Sequence, residues 1–168
     1  TDKAHKDPLT GVYNREGFDV YTQKLYEEIE KNLPMVLAVL DYDNFKHVND
    51  TLGHAGGDEA LKLLAQTLQE AFKEDGIVCR YGGDEFIMYF EQFESKEKLA
   101  EQIAHVRRAF QRNKFKQHNV EIEIVPSIGL AFTDEDGSDY EQLYHACDVR
   151  MYEDKKIMKE HYGKDIGV

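Results

Sequence analysis

Tryptophan is absent from this chain, and cysteine and proline are scarce: Cys79, Cys147, Pro8, Pro34 and Pro126 are all there are. Two cysteines without a CxxC spacing exclude a disulfide framework, and read as small buried hydrophobes in a reducing compartment. Three isolated prolines, with no low-complexity tract and no internal period, offer no linker at which to divide the chain. No apolar run approaches the roughly 18 to 20 residues that span a bilayer, and Thr1 to Thr10 lack the hydrophobic stretch of a secretory signal. Positive charge is in deficit, with 21 Lys plus Arg against 33 Asp plus Glu and a formal net charge of −12. Such a chain is repelled by nucleic-acid backbones and anionic membranes. A phosphorylated ligand has to be handled locally, with a divalent cation screening the charges. The expectation is a cytoplasmic domain that contacts neither nucleic acid nor membrane.

What is present suffices for one core. The 168 residues are 41% hydrophobic and include 9 Phe and 10 Tyr, which suits a single globular domain over residues 1–168. Phe18, Tyr21, Leu25 and Ile29 recur at helical spacing. The run Met35-Val36-Leu37-Ala38-Val39-Leu40 predicts a strand buried on both faces, ended by Asp41. Leu61, Leu64, Ala65, Leu68 and Phe72 predict a helix entered through Gly56-Gly57-Asp58. Ile77 to Tyr81 and Phe86 to Phe90, separated by Gly82-Gly83-Asp84-Glu85, predict a β-hairpin. Leu99, Ile103, Val106 and Phe110 mark a helix with Ser95 as its N-cap. Val120 to Val125 reads as a strand continuing past Pro126 into Ser127–Phe132, and Tyr140, Leu143, Tyr144, Cys147 and Met151 mark a last helix. The mixed order with one hairpin favours an α+β fold: a ferredoxin-like, palm-type sheet, antiparallel or mixed, flanked by helices.

Carboxylates concentrate where strands end, in Asp41-Tyr42-Asp43-Asn44-Phe45-Lys46 and at the hairpin tip. If the two strands are neighbours, Asp41 and the tip carboxylates share one edge. Converging carboxylates repel unless a cation lies between them, and oxygen ligands suit Mg²⁺ or Mn²⁺. Taken singly, Asp41 or Asp43 reads equally as a helix cap and Asp84 as a turn residue. An EF-hand is excluded, because Phe45 stands at a ligand position and Lys46 at the required glycine. GxxxxGK[ST], HExxH and GxSxG are all absent. Gly-Gly-Asp-Glu occurs twice, at 56–59 opening a helix and at 82–85 opening a strand, so its surroundings carry the signal rather than the tetrapeptide itself.

Those surroundings resemble a known family. Arg80-Tyr81-Gly82-Gly83-Asp84-Glu85-Phe86 is similar to the signature loop of the GGDEF family of diguanylate cyclases. Asp7-Pro8-Leu9-Thr10-Gly11-Val12-Tyr13-Asn14-Arg15 resembles its opening motif. Asp41 to Asp50 resembles its metal and substrate segment, and Gly53-His54 with Gly57-Asp58 its guanine segment. Ser127-Ile128-Gly129-Leu130-Ala131 and Met151-Tyr152 with Lys155 match the closing motifs. The resemblance implies condensation of two GTP into cyclic di-GMP with release of two pyrophosphates.

By the same resemblance, Asp41 and Asp84 carboxylates and the Tyr42 carbonyl would hold Mg²⁺ or Mn²⁺, and Glu85 is the neighbouring signature carboxylate needed for activity. Asp58 and Asn49 would read guanine, and Asp58 also suits the first turn of a helix through its dipole. Lys46, Lys155 and Lys159 would contact phosphates, His54 lies on the substrate side, and Gly82 and Gly83 let substrate approach the backbone. The usual Gly-Arg pair is replaced by Met158-Lys159, with Gly163-Lys164 a little later. Lys73-Glu74-Asp75-Gly76 lacks the Arg-x-x-Asp product site, which predicts no product feedback there. Catalysis implies a homodimer of such domains. The family's habit implies an upstream sensory or dimerising segment, with this chain a fragment of a longer protein that could be membrane-anchored. The alternative is a silent domain that only binds GTP or cyclic di-GMP.

Overall fold

The computed structural model describes residues 2–28, 34–40, 42–72, 76–90, 94–112, 115–117, 119–122, 126–137 and 139–162. A short 3-10 turn at Asp2–His5 leads into α1 (Arg15–Glu28). β1 (Pro34–Leu40) is followed by α2 (Tyr42–Phe72), the hairpin β2 (Gly76–Arg80) and β3 (Glu85–Phe90), and α3 (Lys96–Arg112). A small ribbon of β4 (Phe115–Gln117) and β5 (Val120–Ile122) precedes β6 (Pro126–Phe132), α4 (Thr133–Asp136) and α5 (Tyr140–Tyr162). The main sheet has the order β2-β3-β1-β6, antiparallel throughout. This is the expected α+β palm.

Strand alternation divides the core into two faces. On one, Phe86, Met88 and Phe90 of β3 pack with Leu61, Leu64, Leu68 and Phe72 of α2 and Leu99, Val106 and Phe110 of α3. On the other, Ile87 and Tyr89 pack with Phe18 of α1 and Leu143, Cys147 and Met151 of α5. Each fully buried large apolar side chain contributes about 1.5 to 3 kcal/mol by leaving water, so β3 anchors both layers. The exposed edge of β2 is partly covered, because Tyr13 pairs with Cys79 in a parallel bridge.

Two sequence expectations need correction. The helix placed after Gly56-Gly57-Asp58 begins at Tyr42, and the first Gly-Gly-Asp-Glu copy lies inside α2, with Gly56 and Gly57 buried. Its two halves meet at a kink where Gly53 adopts φ 75°, ψ −179°, a region open essentially to glycine alone. The strand read through Pro126 is two strands in different sheets: β5 pairs with β4, and β6 begins at Pro126 beside Leu40. Proline supplies no ladder N–H, so it stands at a strand start. Ser95 caps α3 as expected, accepting from the Lys98 N–H at 3.0 Å. Among the described residues no helix is long and apolar enough to cross a membrane.

Candidate functional site

Register sets one end of the sheet. Val39 stands opposite Glu85, and Leu40 opposite Pro126. The C-terminal end of β1, the hairpin tip before β3 and the start of β6 therefore share an edge, and α2 begins there at Tyr42. Asp41 lies outside the described residues, as do Lys73-Glu74-Asp75 and Gly163-Lys164.

The tip is held by backbone and by one arginine. The Tyr81 N–H donates to the Glu85 carbonyl at 2.8 Å. Arg80 donates from Nε and Nη2 to the Gly83 carbonyl at 3.0 and 2.9 Å, and from Nη1 to both Asp7 carboxylate oxygens at 3.4 Å. Asp7 also accepts from the Thr10 N–H and hydroxyl at 3.0 and 2.7 Å, so the opening motif is a turn that presents a carboxylate to the signature loop. Gly82 and Gly83 are exposed, and Asp84 and Glu85 are half-buried.

The kink in α2 folds Asn49 against Gly57: a Cβ at Gly57 would sit 2.0 Å from Asn49 Oδ1. Asn49 is thus brought beside the turn of helix that carries Asp58. Asp58, His54 and Lys46 are exposed on the same helix. On α5, the Asp154 carboxylate accepts from the Ile128 N–H at 2.8 Å and from Arg107 at 2.7 Å, tying this part of the helix to the start of β6. The next residue, Lys155, is half-buried, with its ammonium 5.9 Å from the Tyr152 ring centre, and Lys159 is one turn further along.

Glu85 is engaged by α5. Its carboxylate accepts a hydrogen bond from the Tyr144 hydroxyl of α5, on the sheet face shared by Ile87 and Tyr89. Tyr144 stacks on Tyr140 with ring centres 6.0 Å apart and leans on Tyr81 at 5.9 Å. The Arg15 guanidinium lies 4.4 Å from the Tyr81 ring centre, a cation–π contact. Together these residues line a cleft of about 470 Å³ with Gly82 and Glu141. Burial first, then the hydrogen bond to Glu85, raises the Tyr144 phenol well above its ordinary value, so it stays protonated and donates. Sequence reasoning missed both Arg80 as a clamp and Tyr144 as a donor. Arg80 at least stands inside the signature, whereas Tyr144 reads as one more apolar position of a helix.

Among the described residues no three His, Cys, Asp or Glu side chains form a closed metal cluster. The shared strand edge carries Asp84, whose carboxylate supplies oxygen donors. That oxygen-only donor set, with no thiol, fits Mg²⁺ or Mn²⁺, of which Mg²⁺ keeps several of its own waters.

Several known proteins are similar to this chain in sequence, and solved structures are similar to it in fold. YkoW, a signaling protein of Bacillus subtilis, is 33% identical over 162 residues, covering 95% of this chain and 20% of its own length. DgcT of Escherichia coli, described as a probable diguanylate cyclase, is 30% identical, covering 91% of this chain and 34% of its own. The chain thus spans about a fifth to a third of these relatives. A crystal structure of a sensory box/GGDEF family protein from Caulobacter crescentus superimposes with a TM-score of 0.78 at 27% identity, covering 90% of this chain and 98% of that one. The family model described as "Diguanylate cyclase, GGDEF domain" matches residues 4–161, from the opening turn through almost all of α5, and the chain belongs to the GGDEF family.

Proposed function

We propose that this chain is a single catalytic domain that condenses two GTP into cyclic di-GMP. The observation supporting the reading is the register that puts the end of β1 beside the signature tip, with Asp84 at their junction. Each ribose 3′-hydroxyl gives up its proton to solvent as its oxygen bonds to the α-phosphorus of the other nucleotide, and the bond from that phosphorus to the bridging α–β oxygen breaks, releasing pyrophosphate. Asp41, the Tyr42 carbonyl and Asp84 would hold Mg²⁺ or Mn²⁺, which when bound supplies charge neutralisation for the phosphates.

The chain's own residues bind and orient. Guanine presents N1–H and the N2 amino group as adjacent donors, and the Asp58 carboxylate accepts both, with Asn49 supplying an amide beside it. Lys46, Lys155 and Lys159 balance phosphate charge, and His54 lies on the substrate side. At Gly82 and Gly83 the missing side chains let a substrate approach the backbone closely. Glu85 acts from the α5 side of the hairpin. One domain binds one GTP, so product requires two domains facing each other as a homodimer, brought together by a dimerising or sensory segment elsewhere in the protein.

The test is a product assay with GTP and Mg²⁺ over a range of protein concentrations, beside Asp84→Ala. Cyclic di-GMP formation that rises faster than linearly with protein and is lost in the variant is the expected result. A coiled-coil-fused dimer that binds GTP tightly yet forms no product would identify a silent nucleotide-binding domain instead.

A further inference from the structure

The hydrogen bond from Tyr144 to Glu85 is a contact that this reaction scheme does not use. Glu85 closes the hairpin: its carbonyl receives the N–H of Tyr81 at 2.8 Å and that of Gly82 at 3.4 Å. Whatever fixes Glu85 therefore fixes the two residues that lead into the tip. Arg80 ties the tip to the opening motif from the other side, through Asp7 and the Gly83 carbonyl.

Tyr144 is itself well fixed. Its ring packs on Tyr140 and Tyr81, and Leu143 and Cys147 beside it on α5 are fully buried. The same helix carries Lys155 eleven positions later, about 16 Å along its axis. One helix thus carries both the donor to the hairpin and Lys155, whose neighbour Asp154 accepts from the Ile128 N–H of β6. Phenylalanine would fill the same space, so packing alone does not require a hydroxyl here.

Resting on the cyclase reading, we infer that Tyr144 is a positioning residue. Its hydroxyl holds the Glu85 carboxylate on α5 and thereby sets the signature tip, including Asp84, relative to the helix that carries Lys155.

Two measurements test this on Tyr144→Phe, with Glu85→Gln as a second variant. In the amide spectrum of the folded chain, the Gly82 and Gly83 signals shift in both variants while those of Gly53, Gly56 and Gly57 on α2 stay in place. In coiled-coil-fused dimers, Tyr144→Phe lowers kcat about tenfold with the KM for GTP within about twofold, as expected for misplaced reacting groups rather than lost binding. Unmoved Gly82 and Gly83 signals overturn the inference, and so does an unchanged kcat or a loss that falls on KM alone. If the wild-type dimer forms no cyclic di-GMP, the cyclase reading fails, and the glycine signals decide on their own whether Tyr144 sets the tip.

Discussion

Arg80 and Asp7 meet across 73 positions of sequence, the guanidinium spanning from the Asp7 carboxylate to the Gly83 carbonyl. Both side chains are mostly buried, at 21% and 14% exposure, so the pair is screened less than a surface ion pair. One planar, five-donor group serves both acceptors, which an ammonium cannot do in the same geometry.

Arg80→Lys is therefore expected to loosen the signature tip while leaving the core intact. Initial rates of cyclic di-GMP formation should fall roughly tenfold or more, since small misplacements of reacting groups are costly. The melting temperature should move by only a few degrees, because β2, β3 and their buried faces are untouched. Equal losses of rate and fold would show that the clamp is simply part of the core.

Gly57→Ala sets two effects against each other. Alanine is about 1 kcal/mol better than glycine inside a helix, yet its Cβ would overlap Asn49 Oδ1 at 2.0 Å. The Asn49 amide is the end of a mobile side chain, so it swings away at little cost. Stability should stay within about 1 kcal/mol of wild type, whereas the KM for GTP should rise roughly tenfold. Calorimetry and a substrate titration on one preparation separate the two.

Asp58→Asn replaces a double acceptor with a group that offers one acceptor and one donor. Against guanine the kcat/KM for GTP should drop roughly ten- to a hundredfold, the scale of one charged hydrogen bond. ATP should be turned over poorly by both proteins. Comparable use of ATP by the wild type would remove Asp58 from base recognition.

Asp136 carries a pH prediction. Its carboxylate accepts from Arg150 Nη1 and Nη2 at 2.7 and 2.6 Å and from the Phe132 N–H at 2.9 Å. The Arg150 hydrogen bonds, chiefly, hold its pKa below the usual Asp value. A depressed carboxylate adds stability above its unfolded pKa of about 3.9, and that stability is lost as pH falls through the folded value. Because the Arg150 side chain is 43% exposed and solvent screens the pair, Asp136→Asn should cost only about 0.5 to 1 kcal/mol at pH 7, with the gap in melting temperature closing progressively below about pH 4. A gap that persists unchanged in acid would point to packing rather than charge.

Much of this was legible in the residues. The run 35–40 reads as a strand, and β1 is indeed paired on both edges, by β3 and β6; two glycines between β-rich segments read as a tight hairpin, which β2 and β3 form. The start of α2 was hidden because Gly53, Gly56 and Gly57 weaken local helix preference, although Val48 and Leu52 keep the helical spacing into the core. The break before Pro126 was hidden because alternation runs through it, and only pairing reveals a change of sheet. Tyr144 could not be found from spacing at all. Its partner is 59 residues away, and only the packing of α5 across the sheet joins them.

The kink in α2 has a consequence of handedness. At Gly53 the place where an L-residue would carry its Cβ is empty, with nothing within 4 Å, so size excludes nothing. The torsions alone discriminate: φ 75°, ψ −179° is close to the mirror image of ordinary extended backbone. An L-residue there carries a strain of about 1 to 3 kcal/mol, while its D-enantiomer would be at rest. Assembled by chemical ligation, L-alanine and D-alanine at this position should part company, with the D-form keeping the bend that sets Asn49 against Gly57 and the L-form straining against it.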